Sequence, residues 1–273
     1  MLRCLFGRLF HPWQSMENLV SIITPTYNCG RYIGAAIDSV LAQTHKDWEM
    51  LIVDDCSTDN TSSVVSAYHD PRIRYIRSNE RMGAAMTRNA ALRMAHGRWI
   101  AFLDSDDLWH PEKLERQIRF MEDNGYAFTY HAYREIDEES QPLGVTVSGI
   151  RHVSRLAMRC CCWPGCLTVM YDANVIGVVQ IANMKKNNDF AIWLRVSQKA
   201  DCHLLPQVLA SYRRRTGSIT PESTWVKIKW HYLLFRQSEG CSHIAAGFWT
   251  IMNILGNSMK KIFFRQKKRR SAT

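Results

Sequence analysis

The stretch IAFLDSDDLWHPEKLE, residues 100–115, decides how the chain is read. Trp99 to Leu103 is a short run of apolar and small residues, the length and composition of a buried strand. It passes directly into Asp104, Asp106 and Asp107, then Trp109, then Pro111 where a helix begins. Leu114, Ile118 and Met121 recur at helical spacing and mark that helix's buried stripe. In an extended chain, residues two apart point to the same side. Asp104 and Asp106 therefore converge on one point, while Asp107 points elsewhere or caps the following turn. Two carboxylates facing together repel one another unless a cation lies beside them. A hard divalent ion, Mg²⁺ or Mn²⁺, meets that need and keeps ligand positions for water and diphosphate oxygens. The plainer reading has these acids capping the helix near Pro111, but one carboxylate suffices for a cap.

Working outward, Leu19–Thr24, Glu49–Val53 and Ile73–Arg77 read as strands, and Thr61–Tyr68 and Gly83–Ala95 as helices. Residues 31–43 put Ile33, Ala36, Ile37, Val40 and Leu41 on one helical face, and Tyr126–His131 reads as a fifth strand. The alternation predicts an α/β fold, a mostly parallel central sheet with helices on both faces. Ligands of open α/β sheets bind beyond the carboxyl ends of the strands. The first strand ends in TPTYN (24–28), where Tyr27 either stacks beneath a base or simply packs. The second runs into DDCSTDNT (54–61). Asp54 and Asp55 must face opposite ways, so one can reach a nucleotide while the other braces the loop. Ser57, Thr58 and Asp59 are turn and cap formers. Arg88, in the helix after GAA, is either a phosphate contact or a solvated arginine. There is no G-x-G-x-x-G, no P-loop and no H-E-x-x-H, which disfavours a dinucleotide dehydrogenase or a P-loop ATPase.

The second half is less regular. Cys166–Tyr171 reads as a strand, Phe190–Lys199 as a helix and Leu204–Tyr212 as an extended segment. From Ser223 the pattern is helical, with Trp225, Ile228, Tyr232 and Phe235 on one face. Hydrophobic residues make up 46% of the 273, enough for a real core. The nine cysteines are odd in number and not spaced as a disulfide framework, and no secretory signal is evident, so a reducing cytosolic setting is expected. Cys160, Cys161, Cys162 and Cys166 lack paired Cys-x-x-Cys spacing, which favours buried thiols over a metal. The net charge of +10 is concentrated in a tail holding Lys260, Lys261, Arg265, Lys267, Lys268, Arg269 and Arg270. Such a tail suits a nucleic acid or a membrane surface. No run of about 18 apolar residues exists, so no ordinary membrane span is expected. IAAGFWTIMNILG (244–256) either lies in a bilayer interface or packs in the core. MLRCLFGRLFHPWQS, before Met16, is either a small amphipathic anchor or a stretch ahead of the true start.

Four blocks, VSIITPTYN (20–28), VDDCSTDNT (53–61), GAAMTRNAAL (83–92) and FLDSDDLWHPEKLE (102–115), resemble the family 2 glycosyltransferases of GT-A fold, in order and at the usual spacing. NNDFAIWLRV (187–196) and VLASYRRRTGSIT (208–220) match more loosely. The nearest resemblance is to the branch that builds bacterial teichuronic acid, capsule and O-antigen chains. It implies a metal-dependent inverting transfer from a nucleotide sugar, commonly a UDP-sugar, to a lipid-linked or oligosaccharide acceptor. By position, Thr26, Tyr27 and Asp55 would hold the nucleoside and Arg88 would approach the donor. Asp104 and Asp106 would be the family's D-x-D, with Asp106 the principal ligand of Mn²⁺ or Mg²⁺ and Asp104 near the ribose or metal. Asp189 matches the acceptor-side base; at a helix start, the dipole favours its negative charge. Two positions depart from the family. Asn188-Asp189 stands where an acidic pair is common, and Arg215 where many relatives carry histidine. Arg213 and Arg215 either clamp the diphosphate or belong to a solvated basic loop.

The resulting division is an extension (1–17), a GT-A catalytic domain (18–222) and a C-terminal helical segment with a basic tail (223–273). The catalytic domain has a nucleotide-binding half (18–131) and an acceptor half (132–222). The leading expectation is a glycosyltransferase in the cytoplasm, peripheral on the inner face of the membrane, its tail drawn to anionic lipid. The alternative is a non-catalytic sugar-nucleotide-binding scaffold of a polysaccharide assembly complex. No recognition motif supports a nucleic-acid partner.

Overall fold

A strand covered on both faces must be apolar at odd and even positions alike. In the computed structural model, which describes residues 18–215 and 224–267, the N-terminal strands follow that rule. β1 (Val20–Thr26) sends Val20 and Ile22 to one core and Ile23 to the other. β2 (Trp48–Asp54) separates Trp48, Met50 and Ile52 from Leu51 and Val53. β4 (Trp99–Phe102) separates Trp99 and Ala101 from Ile100 and Phe102. With β3 (Ile73–Arg77) they form a parallel array in the order β3-β2-β1-β4. The crossover helices are α1 (Ile33–Leu41), α2 (Thr61–Ser66) and α3 (Ala84–Arg93). α1 buries Ile33, Ala36, Ile37 and Val40 on one face of the sheet, and α3 buries Ala85, Ala91 and Leu92 on the other. α4 (Lys113–Asn124) buries Leu114, Ile118 and Met121 as its spacing predicts, and ends at Gly125 in the left-handed conformation that stops a helix.

Beyond β4 the sheet changes character. β9 (Met170–Asp172) pairs antiparallel with β4 on one side and with β6 (Phe128–Ile136) on the other, so β6 runs in the direction of the first four strands. β7 (Pro142–Val147) continues the sheet antiparallel. β10 (Cys202–Arg213) lies parallel to β6 and antiparallel to the short β5 (Leu108–Trp109) and β8 (His152–Val153). The architecture is the expected one, α/β with a mostly parallel central sheet and a C-terminal helix.

Two local expectations are corrected. Cys166–Tyr171 is not one strand: Cys166–Thr168 forms a turn of 3-10 helix, and extension begins at Met170. The Thr168 hydroxyl and N–H both donate to the Gly165 carbonyl, at 2.7 and 2.9 Å, which closes that turn. The helical face from Trp225 to Phe235 is buried only at its end. Phe235 is inaccessible, whereas Trp225 is 79% exposed. α5 (Arg155–Cys160), α6 (Ala173–Ile176) and α7 (Asn188–Val196) fill the region after β8. α8 (Thr224–Leu233) widens into a π turn at Leu234–Ser238, and α9 (His243–Phe263) follows.

α9 is fastened along its length. The Ser242 hydroxyl caps its start by accepting the Ala245 N–H, and Asn253 Nδ2 donates to the Arg159 carbonyl at 3.0 Å. Gly256 meets α5 so closely that a Cβ there would lie 2.1 Å from the Cys160 carbonyl oxygen. After α9, β11 (Arg265–Lys267) pairs with β7 at the sheet edge. Among the described residues no helix is long and apolar enough to cross a membrane. The readings placed on residues 1–17, 216–223 and 268–273 lie outside the described residues.

Candidate active site

The carboxyl ends of β1, β2 and β4 open on a cavity of about 770 Å³, within the ~300–1,000 Å³ usual for small-molecule sites. Thr26, Tyr27, Asp55, Arg88, Asp104, Asp106 and Arg215 all line it. The sequence places these residues on five separate segments, the last following β10; the order of the strands brings them to one end of the sheet.

The floor is built by loops locked to one another. Asn28 and Cys29 donate their backbone N–H groups to Ser57 Oγ and Thr61 Oγ1, each at 2.9 Å, and Gly30 donates to Asp59 Oδ2 at 2.9 Å. Ser57, Thr58 and Asp59 thus serve as loop braces. Asp54 accepts from the Ser57 N–H and hydroxyl and from the Tyr75 hydroxyl, at 2.8, 2.6 and 2.6 Å. Burial and the Asp54 bond push the Tyr75 phenol up to about 12. Asp55 turns the other way, into the cavity wall, and accepts the N–H groups of Met82 and Gly83 at 2.6 and 3.1 Å. That bond sets the start of α3, where Gly83 holds φ +83°, a conformation that glycine adopts without strain. Thr26 Oγ1 is buried and has no hydrogen-bond partner. Tyr27 is half exposed, and the Arg81 guanidinium lies 3.7 Å from its ring centre. One ring face is therefore covered, and only the other is open to a base.

The charged centre has two ion pairs. Arg88 Nη2 lies 2.5 Å from Asp104 Oδ1, and Arg215 Nε lies 2.9 Å from Asp106 Oδ2. Arg88 is almost wholly buried, and its Nε has no partner. Burial alone would lower its guanidinium, but Asp104 overrides that and holds it raised. The Asp106 carboxyl is pushed above its ordinary range by burial and by Asp104. Asp107 is raised further, by burial and then by Asp106 and Asp104. It does point elsewhere: its Oδ1 accepts the Arg213 N–H at 2.8 Å, outside the cavity.

The three consecutive arginines part company. Arg213 does not line the cavity. Its Nε donates to the Asp106 carbonyl at 2.8 Å, and its Nη1 to the carbonyls of Asp137 and Glu138 at 2.9 and 3.0 Å. It is a strap between backbone segments; of the two arginines expected at a diphosphate, Arg215 lines the cavity and Arg213 does not. Arg214 reaches outward to Glu135 at 2.7 Å.

Asp189 stands in the first turn of α7, partly buried, its Oδ1 accepting the Phe190 N–H at 2.8 Å. It is not part of the cavity wall but adjoins it. Its charge acts on Arg88 on one side and on Lys260 of α9 on the other. Asn188, read from sequence as a missing acid, accepts from Arg88 Nη1 at 2.5 Å. It ties the helix bearing Asp189 to the charged centre. Sequence reasoning also missed Arg81 and Lys185, which line the cavity from irregular segments; a basic residue ahead of Gly83 was the one available signal.

Asp104 and Asp106 suit a hard divalent cation. Both face the cavity, each has one oxygen outside its arginine pair, and the like-charge conflict between them is one that a cation relieves. No group of three or more His, Cys, Asp or Glu side chains is ready-made for a metal among the described residues. Two carboxylates supplemented by diphosphate and water oxygens are the usual arrangement for Mg²⁺.

The glycosyl transferase family 2 profile matches residues 21–156. TuaG of Bacillus subtilis (strain 168), a glycosyltransferase named for teichuronic acid biosynthesis, is 37% identical over 246 residues, 89% of this chain and 97% of that protein. The chain belongs to glycosyl transferase family 2. Among its Escherichia coli relatives is WfgD, a UDP-Glc:α-D-GlcNAc-diphosphoundecaprenol β-1,3-glucosyltransferase. It is 41% identical over 66% of this chain and 70% of WfgD. WfaP, of the same named activity, is 40% identical over 74% of this chain and 80% of WfaP. The solved structure of S. aureus TarS 1-349 in complex with UDP-GlcNAc superposes with a TM-score of 0.68 at 19% identity. It covers 90% of this chain and 73% of TarS 1-349, and it shows the shared fold. In this family 2 glycosyltransferase, each of the four N-terminal blocks contributes residues to the cavity.

Proposed function

We propose that this glycosyltransferase moves a sugar from a UDP-sugar, with inversion, to a lipid-linked glycan at the inner face of a bacterial cytoplasmic membrane, in cell-surface polysaccharide synthesis. The observation that carries it is the convergence of Asp104, Asp106, Arg88 and Arg215 on one cavity at the strand ends. The named activities of WfgD and WfaP support the donor and the diphosphoundecaprenol type of acceptor, and the TarS complex supports UDP.

Thr26 and Asp55 flank the nucleoside, with the open face of Tyr27 beside the base. The leaving nucleoside diphosphate gains charge as the glycosidic bond breaks, and buried Arg88 together with Arg215 faces that charge with fixed donors. Asp104 and Asp106 would hold Mn²⁺ or Mg²⁺, which supplies Lewis-acid stabilisation to the diphosphate. Asp189 takes the proton of the acceptor hydroxyl as its oxygen attacks the anomeric carbon from the face opposite the leaving group.

The test is a screen of UDP-, GDP- and dTDP-sugars for nucleoside diphosphate release with and without Mn²⁺, using a diphosphoundecaprenol-linked sugar as acceptor. A UDP-sugar is expected to turn over. Asp106→Ala and Asp189→Ala are each expected to be slower by about 100-fold or more, the scale of a lost general base or charge stabiliser. Full activity in either variant removes that residue's role. No release with any donor would favour the scaffold alternative.

A further inference from the structure

A helix lying against a core in water turns its large apolar residues inward and its polar ones outward. α9 is largely built the other way round, although Trp249 packs on Phe235 against the core. Its inner side buries Ala246, Thr250 and Asn253, and Lys260 turns in to donate to the carbonyls of Cys162 and Trp163 at 2.9 and 2.5 Å. Its outer side carries Ile244, Phe248, Ile251, Leu255, Met259 and Ile262, between 54% and 88% exposed. These positions recur every three or four residues and fall on one arc of roughly 80° at 3.6 residues per turn. Apolar surface gathered in this way marks a contact face.

What the face contacts is indicated by charge. No Asp or Glu follows Glu239 anywhere in the sequence. Lys261 and Lys267 are exposed at the end of α9 and in β11, and Lys268, Arg269 and Arg270 come next in sequence. α8 exposes Lys227 and Lys229. A second copy of the chain would bring the same positive charge to the same place. An apolar arc with basic residues at its end, on a helix unable to span, suits the boundary between headgroups and acyl chains of an anionic bilayer. We infer that α9 lies along such a bilayer, its apolar arc buried among the lipids and its lysines against the headgroups.

The fastening of α9 by Asn253, Gly256 and β11 makes this contact rigid, so it also fixes the orientation of the site. α9 packs on α5, and α5 packs on α7, the helix whose first turn holds Asp189. The acceptor side of the site therefore adjoins the membrane-facing helix. That consequence rests on the lipid-linked acceptor proposed above; the membrane contact itself does not.

The test mixes the full-length protein with phosphatidylcholine vesicles, with and without phosphatidylglycerol, in the absence of donor and acceptor, and follows flotation. Binding to the anionic vesicles is expected. The triple variant Phe248→Ser, Ile251→Ser, Leu255→Ser should bind about tenfold or more weakly with an unchanged melting temperature, because the three side chains are exposed. Lys261→Glu with Lys267→Glu should abolish the preference for anionic vesicles. Equal binding by the triple variant would overturn the inference. So would a failure of the native protein to bind while light scattering shows a dimer that the triple variant disrupts. Nucleoside diphosphate release measured on the same preparations separates the two proposals. Vesicle binding without turnover sinks the enzymatic reading alone, and turnover without vesicle binding sinks the membrane contact alone.

Discussion

At the scale of single residues, Arg213, Arg214 and Arg215 show how little a run of like residues says about its members. All three are equally basic in the sequence, yet one straps carbonyls, one pairs at the sheet edge, and one faces Asp106. Arg213→Ala would remove the guanidinium that binds the part-buried carbonyls of Asp106 and Asp137, a loss of about 2–4 kcal/mol for bonds to a charged group. Its expected signature is a lowered melting temperature. Arg215→Ala should leave the melting temperature nearly unchanged and raise KM for the donor about tenfold or more, the usual scale for one charge-assisted phosphate contact. A melting curve and a donor titration on both variants check the contrast; a destabilised Arg215→Ala would put that residue among the straps. Asp104 and Asp106 were legible as a pair without a structure, but strand parity is not what joins them: β4 ends at Phe102, and a turn closed by the Asp107 N–H donating to the Asp104 carbonyl at 3.0 Å brings both to the cavity. Asn188 was not, because its partner Arg88 is 100 residues away.

Among elements, those with strong periodicity were legible nearly to the residue. Ile73–Arg77 is the strand predicted, and α4 buries the three residues its spacing singled out. Elements set by long-range contacts were not. β11 exists because Arg265 reaches Glu135, at 2.8 Å, across 130 positions of sequence. Burial pushes the Glu135 carboxyl up, but its bonds with Arg265 and Arg214 outweigh this and hold it below the ordinary glutamate range. A depressed carboxyl adds stability above the unfolded value, about 4.3, and that stability is lost as pH falls through the folded value. Glu135→Gln is therefore expected to lower stability by about 1–2 kcal/mol at neutral pH, discounted because both arginines are half exposed. The gap from the native protein should close on acidification below about pH 4. Melting curves across that range check it; a gap independent of pH would mean that packing, not charge, holds the edge.

For the whole molecule, the carboxyl end of the sheet concentrates Asp104, Asp106 and Asp107 against the pull of the hydrophobic core to exclude charge. Burial and mutual repulsion both raise Asp106 and Asp107, so the cluster by itself works against stability and a cation beside it would work for it. Mn²⁺ at a hundredfold excess over its Kd is expected to add about 2.7 kcal/mol, read as a higher melting temperature. The rise should be absent from Asp106→Asn, and an equal rise in that variant would place the metal elsewhere. By itself the sequence determined the parallel half of the sheet, the facing pair Asp104 and Asp106, and the family. Each of these is written in local periodicity or in short motifs, although a turn rather than a strand step brings the two carboxylates together. Only the tertiary structure decided that Arg215 rather than Arg213 meets Asp106, that Asn188 braces Arg88, and that α9 turns its apolar arc outward. Those outcomes depend on where distant segments are seated, and a helix's own periodicity names its apolar face without saying which side the rest of the protein will cover.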